Sequence, residues 1–315
     1  FEIVDNQQTG AGEITSEIGD SDKMYIKSIT NVSNSVTRKV FVLELVSKEY
    51  WVNESVRVTK RYDGNPGDHV RSILSDLLGV TEAEVENSSY DYSFIGNTKK
   101  PLYTCTWLAS KSSTSKVASD DAKKGSLLGA TAGFFFYQTR DKYYFLSVDT
   151  LSAQPVKEGR DFIYNNTGKK PLSGNKVNIL EAAVAAQTDI GKDLSLGVYN
   201  NHSLFFDPYS LTFKQVLFSF DENKKDKVKL LNVKSNNPQE EIMERPSRLM
   251  FSTLDVGTLP LGDKLKSDVK NPEYNTRTPE AMVQSIMRYN ELFRTKINII
   301  IPADFSIRAG DTVNC

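Results

Sequence analysis

Surface chemistry usually begins with a histidine, a cysteine or a poised carboxylate, and this chain is sparing with the first two. It holds two histidines, His69 and His202, and two cysteines, Cys105 and Cys315. Any Ser-His-Asp or Cys-His arrangement must therefore recruit one of those two imidazoles. His202, in YNNHSLFFDP, has Ser203 beside it and Asp207 further along the same stretch, but nearness in sequence does not create triad geometry. His69 falls in the first turn of a helix beginning after Asp68, where it is expected to face solvent. Cys105 lies in a mostly apolar run and reads as a small buried hydrophobe. Two cysteines in so long a chain are read as free thiols of a reducing compartment, and no CxxC or Cys/His cluster offers a zinc tetrahedron. Chance carboxylate pairs are inevitable among 40 Asp and Glu residues, so a glycosidase-type pair has no force. There is no GxSxG elbow, no HExxH, no Walker lysine loop and no GxGxxG after a strand. The GAGE at 10–13 and the GATAG at 129–133 lack the lysine or the strand-to-helix context and read as turns. No catalytic, metal-binding or cofactor-binding residue is assigned from the sequence.

The densest chemistry is aromatic. GFFFYQTRDKYYFLSVDTL, at 133–151, carries two clusters of Phe and Tyr split by Arg140-Asp141. A membrane wedge would put its aromatics at the tip, and here the tip is charged. A base-stacking platform needs Lys and Arg interleaved on the same face, and the stretch offers only Arg140 and Lys142 at the turn. Two apolar runs around a short polar connection are the pattern of a buried β-hairpin. Composition agrees with that reading. A formal net charge of -1 and a pI near 6.3 supply no general attraction to nucleic acid or anionic lipid. No apolar run reaches the roughly 18 residues of a membrane-spanning helix. The first residue is Phe1 and no charged-then-apolar leader follows, so the chain is expected to be a trimmed piece of a longer protein.

The elements that must carry these residues follow from periodicity. DKMYIKSIT and VTRKVFVLELVS read as strands joined by turn residues Asn31 to Ser35, and 1–62 is taken as strand throughout. The unbroken apolar run from Val40 to Val46 is what a strand covered on both faces looks like. In GDHVRSILSDLLG, Val70, Ile73, Leu74, Leu77 and Leu78 take helical spacing, with Asp68 expected as N-cap and Gly79 past the end. PLYTCTWLASKS suggests a second helix from Pro101. A polar loop covers 110–126, NNTGKKPLSGN at 165–175 marks a boundary, and ILEAAVAA (179–186) and 194–199 are expected to be helical. SLFFDPYSLTFKQVLFSF returns to strand composition. TPEAMVQSIMRYNELFRT starts a helix at Thr278 with Pro279 in the first turn, presenting Met282, Ile286, Tyr289 and Phe293 on one face. A strand over 297–301 follows.

Taken in order, FVLELVSKEYWVNESVRVTKRYDG, HVRSILSDLL, WLASKS, GFFFYQTRDKYYFLSVDTL, LSLGVYNNHSLFFDPYSLTF and RYNELFRTKINIIIPADFSIRAGDTV resemble successive blocks of the central hub proteins of contractile-tailed phage baseplates, most closely those of T-even-like phages. The similarity spans most of 36–220 and 279–313. It implies an α+β, mainly β fold with two tube-like antiparallel β-barrel domains, a helix and β-hairpin module, and an insertion. The first barrel would occupy 1–62, incomplete at its N-terminal side, and the module 63–170. The second barrel would join 171–220 to 275–315, incomplete at its C-terminal end, around an insertion at 221–274. The resemblance implies no enzyme activity and no cofactor. It implies a homotrimer in the virion tail baseplate, assembled in the host cytoplasm, that adapts a sixfold tail tube to a threefold central spike. The tail tube protein, the spike and other baseplate proteins would be its partners, with DNA passing non-specifically through the lumen and no membrane-spanning segment.

Two other classes of function stay open. A tail-associated cell-wall hydrolase would need His69 or His202 beside a nucleophile in a cleft. A monomeric glycan- or receptor-binding tail module would set Trp51 and Trp107 in exposed shallow pockets, whereas the hub reading buries Trp107 near its helix.

Overall fold

The computed structural model describes residues 24–114, 131–156, 161–164, 176–186, 189–208, 211–219, 228–229, 245–254, 278–293, 296–302 and 307–314. The GAGE turn, most of the polar loop, the 165–175 boundary, most of the insertion and Cys315 lie outside the described residues. Within them helix and strand are mixed, with more strand than helix.

The chain begins as a ribbon, β1 (Tyr25–Asn34) antiparallel to β2 (Lys39–Val46). Strand β1 runs through the expected turn. Asn31 takes a positive φ of 51° within it, and the register shifts between Thr30 and Ser33, so the turn chemistry at Asn31 makes a bulge. The chain reverses at 35–38 instead, where the Ser35 amide donates to the Arg38 carbonyl. After Val46 the expected strand gives way to helix α1 (Lys48–Ser55). Its Val52 packs on the first core, and the side-chain oxygen of Asn53 accepts from the Leu102 amide at 2.9 Å. That bond satisfies one orphan donor at the start of α3 (Pro101–Ala109), so α1 is positioned by what it caps.

The first core is the helix and hairpin module. Helix α2 (Pro66–Leu78) is capped by Asn65 rather than by Asp68: the Asn65 side chain accepts from the Gly67 amide, and Pro66 takes the first helical position. Asp68 is exposed and pairs with Arg71 at 2.6 Å. Gly79 ends the helix in the left-handed conformation that a C-terminal cap requires. The amphipathic face buries Val70, Ile73, Leu74 and Leu78 against Cys105 and Leu108 of α3. Strand β3 (Arg61–Tyr62) pairs with β5 (Phe94–Ile95). Val58 and Tyr62, assigned by sequence to the first barrel, lie in this core.

The aromatic stretch is a hairpin, as its pattern predicts. Strand β8 (Phe134–Gln138) runs antiparallel to β9 (Tyr143–Ser147), with Phe136 opposite Phe145 and Tyr137 opposite Tyr144. Strand β4 (Ala83–Val85) adds a parallel neighbour to β9, and β6 (Ser113–Thr114) pairs with β7 (Thr131–Ala132) alongside. Helix α4 (Val148–Ser152) follows β9, with the Ser147 hydroxyl accepting from the Thr150 amide.

Two further strand groups complete the described chain. Strand β10 (Asp161–Tyr164) pairs in parallel with β11 (Lys176–Ile179), and β12 (Glu181–Ala186) pairs with β17 (Lys296–Ile300). The helix expected over 179–186 is thus a strand: pairing with the Ile-rich β17 overrides the helical preference of its alanines. Helix α5 (Ile190–Leu196) leads into a four-stranded sheet ordered β15-β14-β13-β16, made of β13 (Asn200–Asp207), β14 (Thr212–Ser219), β15 (Val228–Lys229) and β16 (Arg248–Thr253). Strand β16 runs parallel to β13, so this sheet is mixed where an antiparallel one was expected. Strand β15 likewise runs parallel to β14. Among the described residues no sheet closes on itself.

Helix α6 (Thr278–Leu292) joins the parts. Val283 and Met287 pack on Phe205, Val216 and Phe218 of the sheet. Arg288 reaches the other way, with its two terminal nitrogens 2.8 and 2.7 Å from the carboxylate oxygens of Asp149 and a further bond to the Ala132 carbonyl. The Gln284 side chain accepts from the Ala132 amide at 2.8 Å. Because both sides are occupied, the buried face differs from the expected one: Ala281, Val283, Gln284, Met287 and Arg288 are inside, and Tyr289 and Phe293 are exposed. Further on, Arg308 pairs with Asp141 at the hairpin turn, and the Phe162 amide donates to the Asn314 carbonyl. Gly310 has a φ of 93°, and a Cβ there would sit 2.3 Å from the Tyr137 hydroxyl, so the strap formed by 307–314 passes the hairpin only as glycine.

Arg288→Met is expected to cost about 3–5 kcal/mol, because it strips the buried Asp149 carboxylate of the guanidinium that meets both its oxygens. The double variant Asp149→Leu/Arg288→Met should recover most of that loss. Urea denaturation of the three proteins checks both expectations.

Candidate interaction surface

The residues that sequence singled out for chemistry are placed as structure. His69 is buried rather than exposed: with the helix capped at Asn65, position 69 turns into the core. Its Nε2 lies 2.8 Å from the Tyr92 carbonyl oxygen, and its ring stands edge-on to Tyr62 and Phe94. Burial pushes its pKa down, against the opposing pull of the Tyr92 and Gly64 carbonyls. Cys105 is fully buried, and burial pushes its thiol pKa up, away from nucleophilic use.

His202, Ser203 and Asp207 are not brought together. They sit on the regular strand β13, where His202 stands opposite Leu217 and its Nε2 lies 2.5 Å from the amide nitrogen of Gln215, the diagonal neighbour on β14. Ser203 and Asp207 are buried on the other face, as period-two alternation requires. Among the described residues no three or more His, Cys, Asp or Glu side chains gather as metal ligands. Among the same residues no helix is long and apolar enough to cross a membrane.

The surface is unusual for where its apolar residues lie. The run that sequence expects to be covered on both faces is open on both: Ile26, Ile29, Val40, Phe41, Val42 and Leu45 are all exposed. This overturns the expectation for a physical reason, since among the described residues β1 and β2 pair only with each other, as a two-stranded ribbon. The ribbon carries its own charge pair, with Lys27 Nζ and the Ser28 hydroxyl both donating to Glu44. The four-stranded sheet has a similar open face. Its inner side meets α6, while Phe213, Leu249 and Phe251 are exposed on the outer side and the Phe206 and Phe213 rings lie 5.0 Å apart. Val184, Ile297 and Ile300 on β12 and β17 are exposed as well. Contiguous apolar strand faces with unpaired edges mark association sites. The sequence signal for the ribbon was present in its two-faced apolar pattern; what it left out was that the cover is not among the described parts of this chain.

Polar residues, conversely, lie inside the module. The Glu86 carboxylate is buried and accepts from the Thr114, Ser147 and Thr150 hydroxyls and from the Ser147 amide. It ties β4, β6, β9 and α4 together as a satisfied node. Nothing in the sequence pattern pointed to it.

Compared with known proteins, the chain matches no family model and no curated sequence.

The two tryptophans separate exposed from packed surface. Trp51 is 47% exposed beside Tyr50, and Trp107 lies in an aromatic group with Tyr92 and Phe94. Acrylamide should quench the Trp107→Phe protein, which keeps Trp51, several-fold more strongly than the Trp51→Phe protein. Equal quenching in the two single-tryptophan proteins would contradict this placement.

Proposed function

We propose that the chain is a structural subunit of a contractile-tail baseplate hub, a threefold ring that adapts a sixfold tail tube to a threefold central spike. The observation that carries the reading is the β1-β2 ribbon, which exposes apolar side chains on both faces and pairs with no further strand among the described residues. A strand pair of that composition gains stability when further strands or sheets join it. In the ring, neighbouring copies supply those strands, and the open sheets become complete tube-like barrels only in the assembly. The outer face of the four-stranded sheet offers a second surface for ring neighbours, tube or spike. The net charge of -1 gives passing DNA no general attraction to the ring. The hub would act in the virion tail baseplate, after assembly in the host cytoplasm with its tube, spike and other baseplate partners.

One observation favours a second reading. Trp51 and Tyr50 are an edge-to-face pair at 6.4 Å, with the Trp51 ring half exposed, and such pairs suit sugar rings. A monomeric glycan- or receptor-binding tail module would use that pair. The hydrolase reading finds no support in His69 or His202, neither of which faces a nucleophile in a cleft.

Solution mass by light scattering tests the proposal. The hub reading expects three times the chain mass of 35.3 kDa. Phe41→Asp/Val42→Asp, which places a charge on each ribbon face, should reduce the mass to that of one chain without lowering the melting temperature of the remainder. A wild-type protein that stays monomeric at high concentration, and binds cell-wall glycan through Trp51, would instead establish the second reading.

A further inference from the structure

Among the described residues Lys111 has no acidic partner. It follows α3 directly and is 1% exposed. Its Nζ lies 4.5 Å from the centre of the Trp107 ring, 5.6 Å from that of Tyr92, and 3.2 Å from the thioether sulfur of Met282 on α6. An ammonium carries three donors, and a thioether is a weak acceptor. Two ring faces compensate part of the buried charge but none of the missing hydrogen bonds. The backbone at Lys111 is also anchored: its amide donates to the Leu108 carbonyl, and its carbonyl accepts from the Tyr90 hydroxyl. The side chain therefore cannot reach water by moving its own backbone. The other element against the amine is α6, which supplies Met282.

The ionisable groups on the surrounding elements are engaged elsewhere. Glu86 is held by Thr114 and Ser147, His69 by the Tyr92 carbonyl, Glu280 by Lys214, and Arg288 by Asp149, while Cys105 is sealed in the first core. Of the tyrosines, Tyr90 bonds the Lys111 carbonyl and Tyr92 offers its ring.

We propose that Lys111 is a proton-operated latch between the helix and hairpin module and the first turns of α6, seating Met282 while its amine is neutral and loosening that contact when it takes up a proton. The buried Arg288–Asp149 pair lies further along the same helix, so loosening is confined to the N-terminal part of α6 and the rest stays docked. This inference does not depend on the hub reading.

The sign of the linkage is fixed by burial. Desolvation pushes the Lys111 pKa down to about 7 in the closed form, whereas an amine in water titrates near 10.4. The open form therefore binds the proton more tightly. As pH falls from about 10 to about 7 the open population grows by up to roughly tenfold per pH unit, and below about 7 the dependence levels off because the closed form is protonated too.

Two readouts test the latch. In a Trp51→Phe protein, Trp107 is the remaining indole, and its emission should titrate near neutral pH and lose that transition in Lys111→Met. Hydrogen exchange, corrected for intrinsic rates, should show protection over 278–286 rising between about pH 7 and about pH 9 relative to α2, while Lys111→Met shows equal protection at both. A transition that persists in Lys111→Met belongs to His69 or another group and overturns the proposal. Wild-type protection over 278–286 that does not change relative to α2 overturns it also, and that comparison needs no variant to fold.

Discussion

The arrangement depends on one buried ion pair. The Arg288 and Asp149 side chains are both 3% exposed and meet through two hydrogen bonds, with the Ala132 carbonyl accepting a further hydrogen bond from the same guanidinium. A planar guanidinium matches a carboxylate in one orientation, so the pair fixes the rotation of α6 as well as its position. That rotation decides which α6 residues meet the four-stranded sheet and which meet the module. Two cores that share no strand are held in register by one helix.

The parts legible in the sequence were those whose pattern and surroundings agree. The α2 face from Val70 to Leu78 with Gly79 as stop, the Pro101 helix and the 134–147 hairpin all appear where periodicity and turn residues put them. Misreadings arose where a distant partner decides the matter. Asn65 displaces Asp68 as cap because it also bonds the Ser88 backbone. The alanines of 181–186 form a strand because β17 is beside them. Tyr289 and Phe293 face outward because Arg288, a charged residue, claims the interior. The surface was legible as composition and not as placement: Val40 to Val46 reads as buried, and cover for it does not appear among the described residues.

Polarity is distributed against the usual rule. The ribbon and the outer sheet face expose aliphatic and aromatic side chains, while Glu86, Lys111, Ser112, Ser113 and Thr114 are buried. Both halves of that inversion are consistent once position is considered. Glu86 and the hydroxyls satisfy one another and hold short strands that have little pairing of their own. The apolar strands of the ribbon have no further strand partner among the described residues.

The contacts that seal the hairpin come from far along the chain. Asp149 lies 139 positions before Arg288, and Asp141 lies 167 before Arg308. Synthesis runs from the N-terminus, so the 134–147 hairpin and the module emerge from the ribosome well before the helix and strap that complete them. Until those residues arrive, Asp149 lacks its counter-charge and the Ala132 carbonyl its donor. The slow step of folding is then the capture of the C-terminal segment, because contacts of such long range are paid for in loop-closure entropy before they stabilise anything. The apolar ribbon residues are synthesised before that interval, which makes this the stage at which a chaperone, or an early meeting with another subunit, has the most effect.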